Sequence, residues 1–120
     1  MQVVEIRAPQ DWDDALLNLP NPHVLQSWTW GEFKSRHGWS PTRLLFQEGG
    51  QIVAAASVLE RRLPGMPRLP LLPSSILYVP KGPALDWTDA GLASRVLAEL
   101  EDLARLRRAL FVKIDPDAYY

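Results

Sequence analysis

Two apolar segments joined by a pair of glycines constrain the fold of this chain more than any other feature. Residues 43–47 and 51–59 have the composition of β-strands, and Glu48-Gly49-Gly50 lies between them. Two glycines between apolar runs are typical of a β-hairpin, because glycine readily adopts the positive φ angles of a tight turn. The second strand is apolar on both alternating faces and rich in alanine. We therefore expect it at the centre of a sheet, with a helix packed close to it.

The remaining segments predict the element order β-α-α-β-β-β-α-β. Outside the hairpin they are a strand at 3–6, helices at 11–19 and 27–36, a proline-rich surface loop at 61–73, a strand at 75–79, a helix from the start cluster at 86–89 to about 108, and a strand at 109–114. The last helix carries an apolar stripe that should cover one sheet face, formed by Leu92, Val96, Leu100, Leu103 and Leu106. The order indicates an α/β (mixed α+β) domain with helices on the faces of a mixed, mostly antiparallel sheet.

Composition excludes several classes of protein. The chain has 120 residues, a formal net charge of -1, two histidines and no cysteine. Disulfides and thiol chemistry are therefore absent, the histidines are too few for a metal-ligand cluster, and binding of nucleic acid through overall charge is disfavoured. No apolar run approaches the ~18 residues that span a bilayer, and residues 1–9 lack the apolar core of a signal peptide. We expect a cytoplasmic protein without a metal site.

Four motifs in a fixed order resemble a known family. They are Gln26-Ser27-Trp28-Thr29-Trp30-Gly31-Glu32-Phe33-Lys34, then Gly38-Trp39, then Tyr78-Val79-Pro80-Lys81-Gly82-Pro83 with Asp86, then Phe111-Val112-Lys113-Ile114-Asp115-Pro116. At these separations they are similar to the amino-terminal domain of the FemABX peptidyltransferases, the aminoacyltransferases that build the interpeptide bridges of peptidoglycan.

The resemblance implies a fold, a reaction and partners. Residues 1–120 would form a single GNAT-like (acyl-CoA N-acyltransferase-like) domain, incomplete and the amino-terminal portion of a longer two-domain architecture. The family transfers an amino acid from aminoacyl-tRNA to the stem peptide of a UDP-linked or lipid-linked muropeptide precursor. This part would bind the precursor, would be inactive alone, and would need no cofactor besides aminoacyl-tRNA as co-substrate. Its place is the cytoplasm, at the inner face of the membrane.

The resemblance also implies roles for individual residues. Lys34 matches a lysine that contacts the diphosphate of the precursor, which suits a flexible ammonium. Lys81 would add a second positive charge, and Gly82 would allow close approach of a ligand. Asp115 matches a catalytic aspartate near the attacking amine. Trp30 and Tyr78 would complete the substrate-binding set.

Each role has a structural alternative. Lys34 could be a solvated helix lysine, Lys81-Gly82 a rigid turn between prolines, and Asp115 an Asp-Pro turn or a cap that ends a buried strand. Packing in the core is the alternative for at least two of the tryptophans Trp28, Trp30 and Trp39. Arg61, Arg62 and Arg68 would form a basic loop that meets an anion or only solubilises the surface.

Two other functions compete with the transferase. A CoA-dependent acetyltransferase needs a glycine-rich loop that opens a helix, of the form Arg/Gln-x-x-Gly-x-Gly/Ala, and the sequence has none. A non-catalytic binding or scaffold module fits the short length.

An apolar strand close to the C-terminus also predicts a homodimer through an open sheet edge.

Overall fold

A computed structural model describes residues 1–65 and 72–116. The strands are β1 (Gln2–Glu5), β2 (Ser40–Glu48), β3 (Gln51–Arg62), β4 (Ser75–Val79), β5 (Ala84–Leu85) and β6 (Ala109–Ile114). The helices are α1 (Pro9–Leu17), α2 (Trp28–Ser35) and α3 (Ala90–Leu106), with a short 3-10 turn at Val24–Gln26.

Within the described residues, the strands form one mixed sheet in the order β1-β2-β3-β4-β6, with β5 paired to β3. β2 and β3 form the antiparallel hairpin, and β4 and β6 are the parallel pair, connected through α3. The α/β class, the mostly antiparallel sheet and the flanking helices are confirmed. The outer edge of β6 has no strand partner among the described residues, and the dimer through this edge stays a prediction.

β3 occupies the centre because both of its faces are dry. Ala54 and Ala56 are buried against α3, and Ala55 is buried on the opposite face with Trp12 of α1. Alanine lets each helix approach the sheet closely, which explains a strand of low side-chain volume at the centre of the fold. The central position and the close helix are both confirmed.

Several elements differ in extent from their prediction. β3 continues through Arg62, so Arg61 and Arg62 lie on a strand and not in a loop, while Arg68 falls outside the described residues. The helical stripe ends at Leu103, because Leu106 is 78% exposed. The two-residue strand β5 was not predicted, since so short an element has no periodicity of its own.

Two predictions about burial were wrong. β6 is partly buried on one side and exposed on the other, with Leu110 and Phe111 about half exposed, so the strand before Asp115 is not buried as expected. Of the three tryptophans Trp28, Trp30 and Trp39, only Trp28 packs against a core cluster of described residues, and the fully buried tryptophan is Trp12. In the described part of the chain, no helix is long and apolar enough to cross a membrane.

Candidate functional site

Within residues 1–65 and 72–116, one half of one sheet face has no covering helix, and we call it the open face. Leu77 and Val79 of β4 are buried in the core under α3. Alternation along the strand therefore turns Tyr78 to the opposite side. On that side α1 and α2 pack on β2 and β3, which leaves the part of the face on β4 and β6 accessible.

The open face carries two neighbouring aromatic rings with a cation at each end. The Arg61 guanidinium lies 4.9 Å from the ring centroid of Trp39, the Trp39 and Tyr78 centroids are 6.3 Å apart, and Lys113 Nζ lies 5.4 Å from the Tyr78 centroid. Tyr78 is paired in register with Lys113 on the parallel strand, which explains their contact. We call these four residues the ladder.

The charges of the ladder are not neutralised by carboxylates. Among the described residues, no carboxylate oxygen lies within 4 Å of Arg61 or Lys113, and both side chains are exposed. An exposed cation–π contact contributes only ~0.5–1 kcal/mol, so the fold gains little from placing the cations there. An anion with a flat ring or sugar would find both charge and stacking surface at this position.

The carboxyl ends of β4 and β6 bring two predicted site residues together. Lys81 Nζ lies 3.8 Å from Asp115 Oδ2, and both side chains are partly exposed. Parallel strands end at the same sheet edge, so the turn after β4 and the residue after β6 must meet there. Lys81 has a φ angle of 53°, a left-handed conformation that costs a non-glycine residue free energy and that surrounding contacts must hold in place.

The buried side chain of Gln26 holds the Lys81 turn from behind. Gln26 Nε2 donates to the carbonyl oxygens of Pro80 (2.7 Å) and Ser57 (3.2 Å), and Gln26 Oε1 accepts from Ser57 N at 2.8 Å. A Cβ atom at Gly82 would lie 2.5 Å from Gln26 Oε1. The group that requires a glycine at position 82 is thus Gln26, and a direct contact of Gly82 with substrate stays a prediction.

Lys34 and Trp30 form a separate group on α2. Lys34 Nζ lies 5.4 Å from the Trp30 ring centroid, and Phe33 links Trp30 to His37 through ring contacts of 5.2 and 4.7 Å. The Trp30 indole N–H is buried without a hydrogen-bond partner. This group adjoins the ladder, because Trp39 N donates to Lys34 O at 3.3 Å.

The helix that follows the Lys81 turn begins at a hydrogen-bonded cluster. The Thr88 hydroxyl and the Thr88 backbone N–H both donate to Asp86 Oδ1, at 2.6 and 3.0 Å, which lowers the pKa of Asp86. Asp89 caps α3 by accepting from Leu92 N. These contacts fix the chain after the turn, so Asp86 has a structural role here.

The structure therefore pairs Lys81 with Asp115, places Tyr78 in the ladder, and places Lys34 with Trp30 on the neighbouring helix. Sequence reasoning missed Lys113 and Gln26. The available signal for Lys113 was a single charged residue within an otherwise apolar strand, Phe111-Val112-Lys113-Ile114. Gln26 opens the first family motif, but no local signal gives its role, since its partners lie 31 and 54 residues away in sequence.

Comparisons with known proteins agree with this architecture. The model of the FemAB family matches residues 10–120. A lipid II:glycine glycyltransferase of Staphylococcus haemolyticus (strain JCSC1435) is 31% identical over 108 residues, which are 90% of this chain and 24% of that protein. One of Staphylococcus aureus (strain bovine RF122 / ET3-1) is 28% identical over the same share.

A solved structure extends the likeness to three dimensions. The crystal structure of FemX superposes with a TM-score of 0.82 and 26% identity, over 98% of this chain and 28% of that one. The chain thus spans about a quarter of the length of the relatives it matches. The family motifs, the element order and the superposition agree, and this chain belongs to the FemAB family.

Proposed function

We propose that this chain is the precursor-binding part of an aminoacyltransferase that adds an amino acid to the stem peptide of a peptidoglycan precursor. The observation that carries the proposal is the open face, where two aromatic rings lie between two cations that pair with no carboxylate of the described residues, on the same strands that lead to the Lys81–Asp115 pair. The names of the relatives, lipid II:glycine glycyltransferases, favour a lipid-linked muropeptide as the acceptor. A lipid-linked acceptor also favours a peripheral position at the membrane surface.

The ladder suits the head of such a precursor. Phosphate oxygens are good partners for Arg61 and Lys113, because charge-assisted hydrogen bonds are roughly twice as strong as neutral ones. Trp39 and Tyr78 offer faces on which a sugar or base can stack. Lys34 adjoins Trp39 and would add charge at the helical border of the same face.

Asp115 suits the other end of the precursor, where an amine must be presented. Its carboxylate already lies near one ammonium group, that of Lys81. An acceptor ammonium could take the place of Lys81 and be oriented there for attack. We assign Asp115 the role of holding this amine and receiving its proton.

The reaction needs little from the protein beyond placement. The acceptor nitrogen attacks the ester carbonyl of aminoacyl-tRNA, an amide C–N bond forms, and the ester C–O bond breaks. The ammonium loses one proton to Asp115 or to solvent before it attacks, and a second proton passes from the nitrogen to the leaving ribose oxygen, which departs as the hydroxyl. Bringing amine and ester together accounts for most of the rate gain in such transfers. The rest of the protein would bind the tRNA and supply donors for the oxyanion.

Titration with a soluble UDP-linked muropeptide tests precursor binding. We expect Lys113→Ala and Lys34→Ala each to weaken binding about tenfold, the loss of one charged hydrogen bond of roughly 1.5 kcal/mol. Arg95→Ala is the matched control, since Arg95 is an exposed cation bound to Glu48 near the start of α3. Equal affinity of wild type, Lys113→Ala and Lys34→Ala would exclude the open face as the precursor site.

Transfer itself is tested in a protein that carries the full family architecture. Asp115→Asn should reduce transfer strongly while precursor affinity stays within about threefold, because the amide keeps the shape but cannot accept a proton. Undiminished transfer would remove the chemical role of Asp115. Precursor binding without any transfer by the wild type would favour a binding module.

A further inference from the structure

One end of the sheet is strongly basic, and we call it the basic end. It consists of Arg36, Arg61, Arg62, Arg107 and Arg108. Arg61 Nη2 donates to the carbonyl oxygen of His37, the neighbour of Arg36, at 2.8 Å. Arg62 is paired in register with Ser75, and the adjacent Ser74 N donates to the carbonyl oxygen of Arg108 at 2.9 Å. These contacts bring the backbone of arginines from the end of α2, from β3 and from the end of α3 to one end of the sheet, where Arg61 and Arg62 project to opposite faces.

The positive charge at this end is largely uncompensated. Glu60 accepts from Arg107 Nη1 at 2.6 Å and neutralises one guanidinium. In the part of the chain that the structure describes, Arg36, Arg62 and Arg108 have no carboxylate within 4 Å, and all three are exposed. The whole chain has a net charge of only -1, so the positive charge of the basic end makes the charge distribution of the molecule strongly asymmetric. Such a molecule is oriented by an anionic surface.

Exposed leucines accompany the arginines. Leu106 ends α3 just before Arg107, is 78% exposed and lines a hollow with Leu103 and Asp102, and Leu72 lies two residues before Ser74 and is 39% exposed. Aliphatic side chains among cations are typical of surfaces that lie in the headgroup layer of a bilayer, where the leucines enter the acyl boundary. Single-stranded nucleic acid would instead favour aromatic side chains for stacking.

We propose that the basic end is a docking surface for anionic lipid headgroups of a bilayer. Arg61 belongs both to the basic end and to the ladder. Docking at this end therefore places the adjoining part of the open face at the depth of the lipid headgroups. The diphosphate of a lipid-linked precursor lies at that depth. This docking rests on the proposed function, but the binding of lipid is measured without any precursor.

Co-sedimentation with vesicles tests the docking surface. The chain should bind vesicles that contain phosphatidylglycerol and not vesicles of phosphatidylcholine alone, and binding should fall with rising salt. Arg62→Gln should weaken binding about fivefold and the double variant Arg36→Gln/Arg62→Gln about 25-fold, at the usual contribution of one basic side chain near an anionic surface. Arg95→Gln, which removes the same charge elsewhere, should change binding less than twofold.

Leu106→Gln separates lipid from other polyanions. The Leu106→Gln variant should weaken vesicle binding about fivefold, because it loses the free energy gained when the leucine side chain moves from water into the bilayer. It should leave the weak, salt-sensitive binding of an RNA oligonucleotide unchanged. Equal losses for Arg62→Gln and Arg95→Gln, or RNA binding tighter than vesicle binding, would overturn the proposal. Affinity for the soluble UDP-linked muropeptide is unaffected by these outcomes, so failure here is distinct from failure of the precursor site.

Discussion

The two faces of the sheet differ in how much of their side-chain surface is buried. Under α3 the sheet is dry, and Leu77, Val79, Val96 and Leu100 are almost completely buried. On the open face the same strand β4 presents Tyr78, which is partly buried beside the exposed Lys113. One face thus stabilises the domain, and the other keeps charge and ring surface available for a ligand. The difference arises from a single strand because alternate residues face opposite sides.

The largest expected effect lies on the covered face. Leu100→Ala should lower the free energy of unfolding by about 2–5 kcal/mol, because it removes buried contacts and leaves a cavity. Leu106→Ala, on the same helix but 78% exposed, should change it by less than about 0.5 kcal/mol. Urea unfolding followed by tryptophan fluorescence measures both. Equal effects would contradict the burial of one side of α3.

The next effect concerns the support of the open face. Gln26→Met keeps the side-chain volume but leaves Ser57 N and Pro80 O without partners, which should cost about 1–3 kcal/mol. Hydrogen exchange of the amide of Gly82, which donates to Val79 O, should accelerate as the turn loosens. Unchanged exchange at Gly82 together with full stability would show that Gln26 does not hold the turn.

A smaller effect on stability is expected on the open face itself. Lys113→Ala should change the free energy of unfolding by less than about 1 kcal/mol, the value of an exposed cation–π contact. A loss of more than about 2 kcal/mol would mean that Lys113 belongs to the packing of the fold. Lys113→Ala and Leu100→Ala would then have similar effects on the free energy of unfolding, and the open face would not differ from the covered face in its contribution to stability.

The smallest effect is a dependence on pH at the distant end of the sheet. Arg95 donates two hydrogen bonds to Glu48, which lowers the pKa of the carboxyl below its usual value. A lowered pKa in the folded state gives stability that is present above the unfolded value and is lost as the pH falls through the folded one. Glu48→Gln should therefore flatten the acid limb of a melting-temperature profile slightly below about pH 5. Identical acid limbs for variant and wild type would exclude the contribution.

Local patterns were sufficient for most of the fold. The bounds of β4 and β6 were predicted correctly, and the hairpin and its central strand were recognised from Gly49-Gly50 and the alanine run. These features depend on neighbours in sequence, through turn geometry and alternation. The pairing Lys81–Asp115 was not predictable in the same way, although both residues were candidates, because it depends on the parallel pairing of β4 with β6.

The sequence by itself determined the family motifs, the element order and the candidates Lys34, Lys81 and Asp115. Only the tertiary structure decided which faces are covered, that Lys113 stands over Tyr78, and that Gln26 fills the space beside Gly82. The physical reason is that short-range patterns set backbone conformation, whereas exposure and charge depend on segments tens of residues apart. The arginines of the basic end show this most clearly, since α2, β3 and the end of α3 each contribute to it.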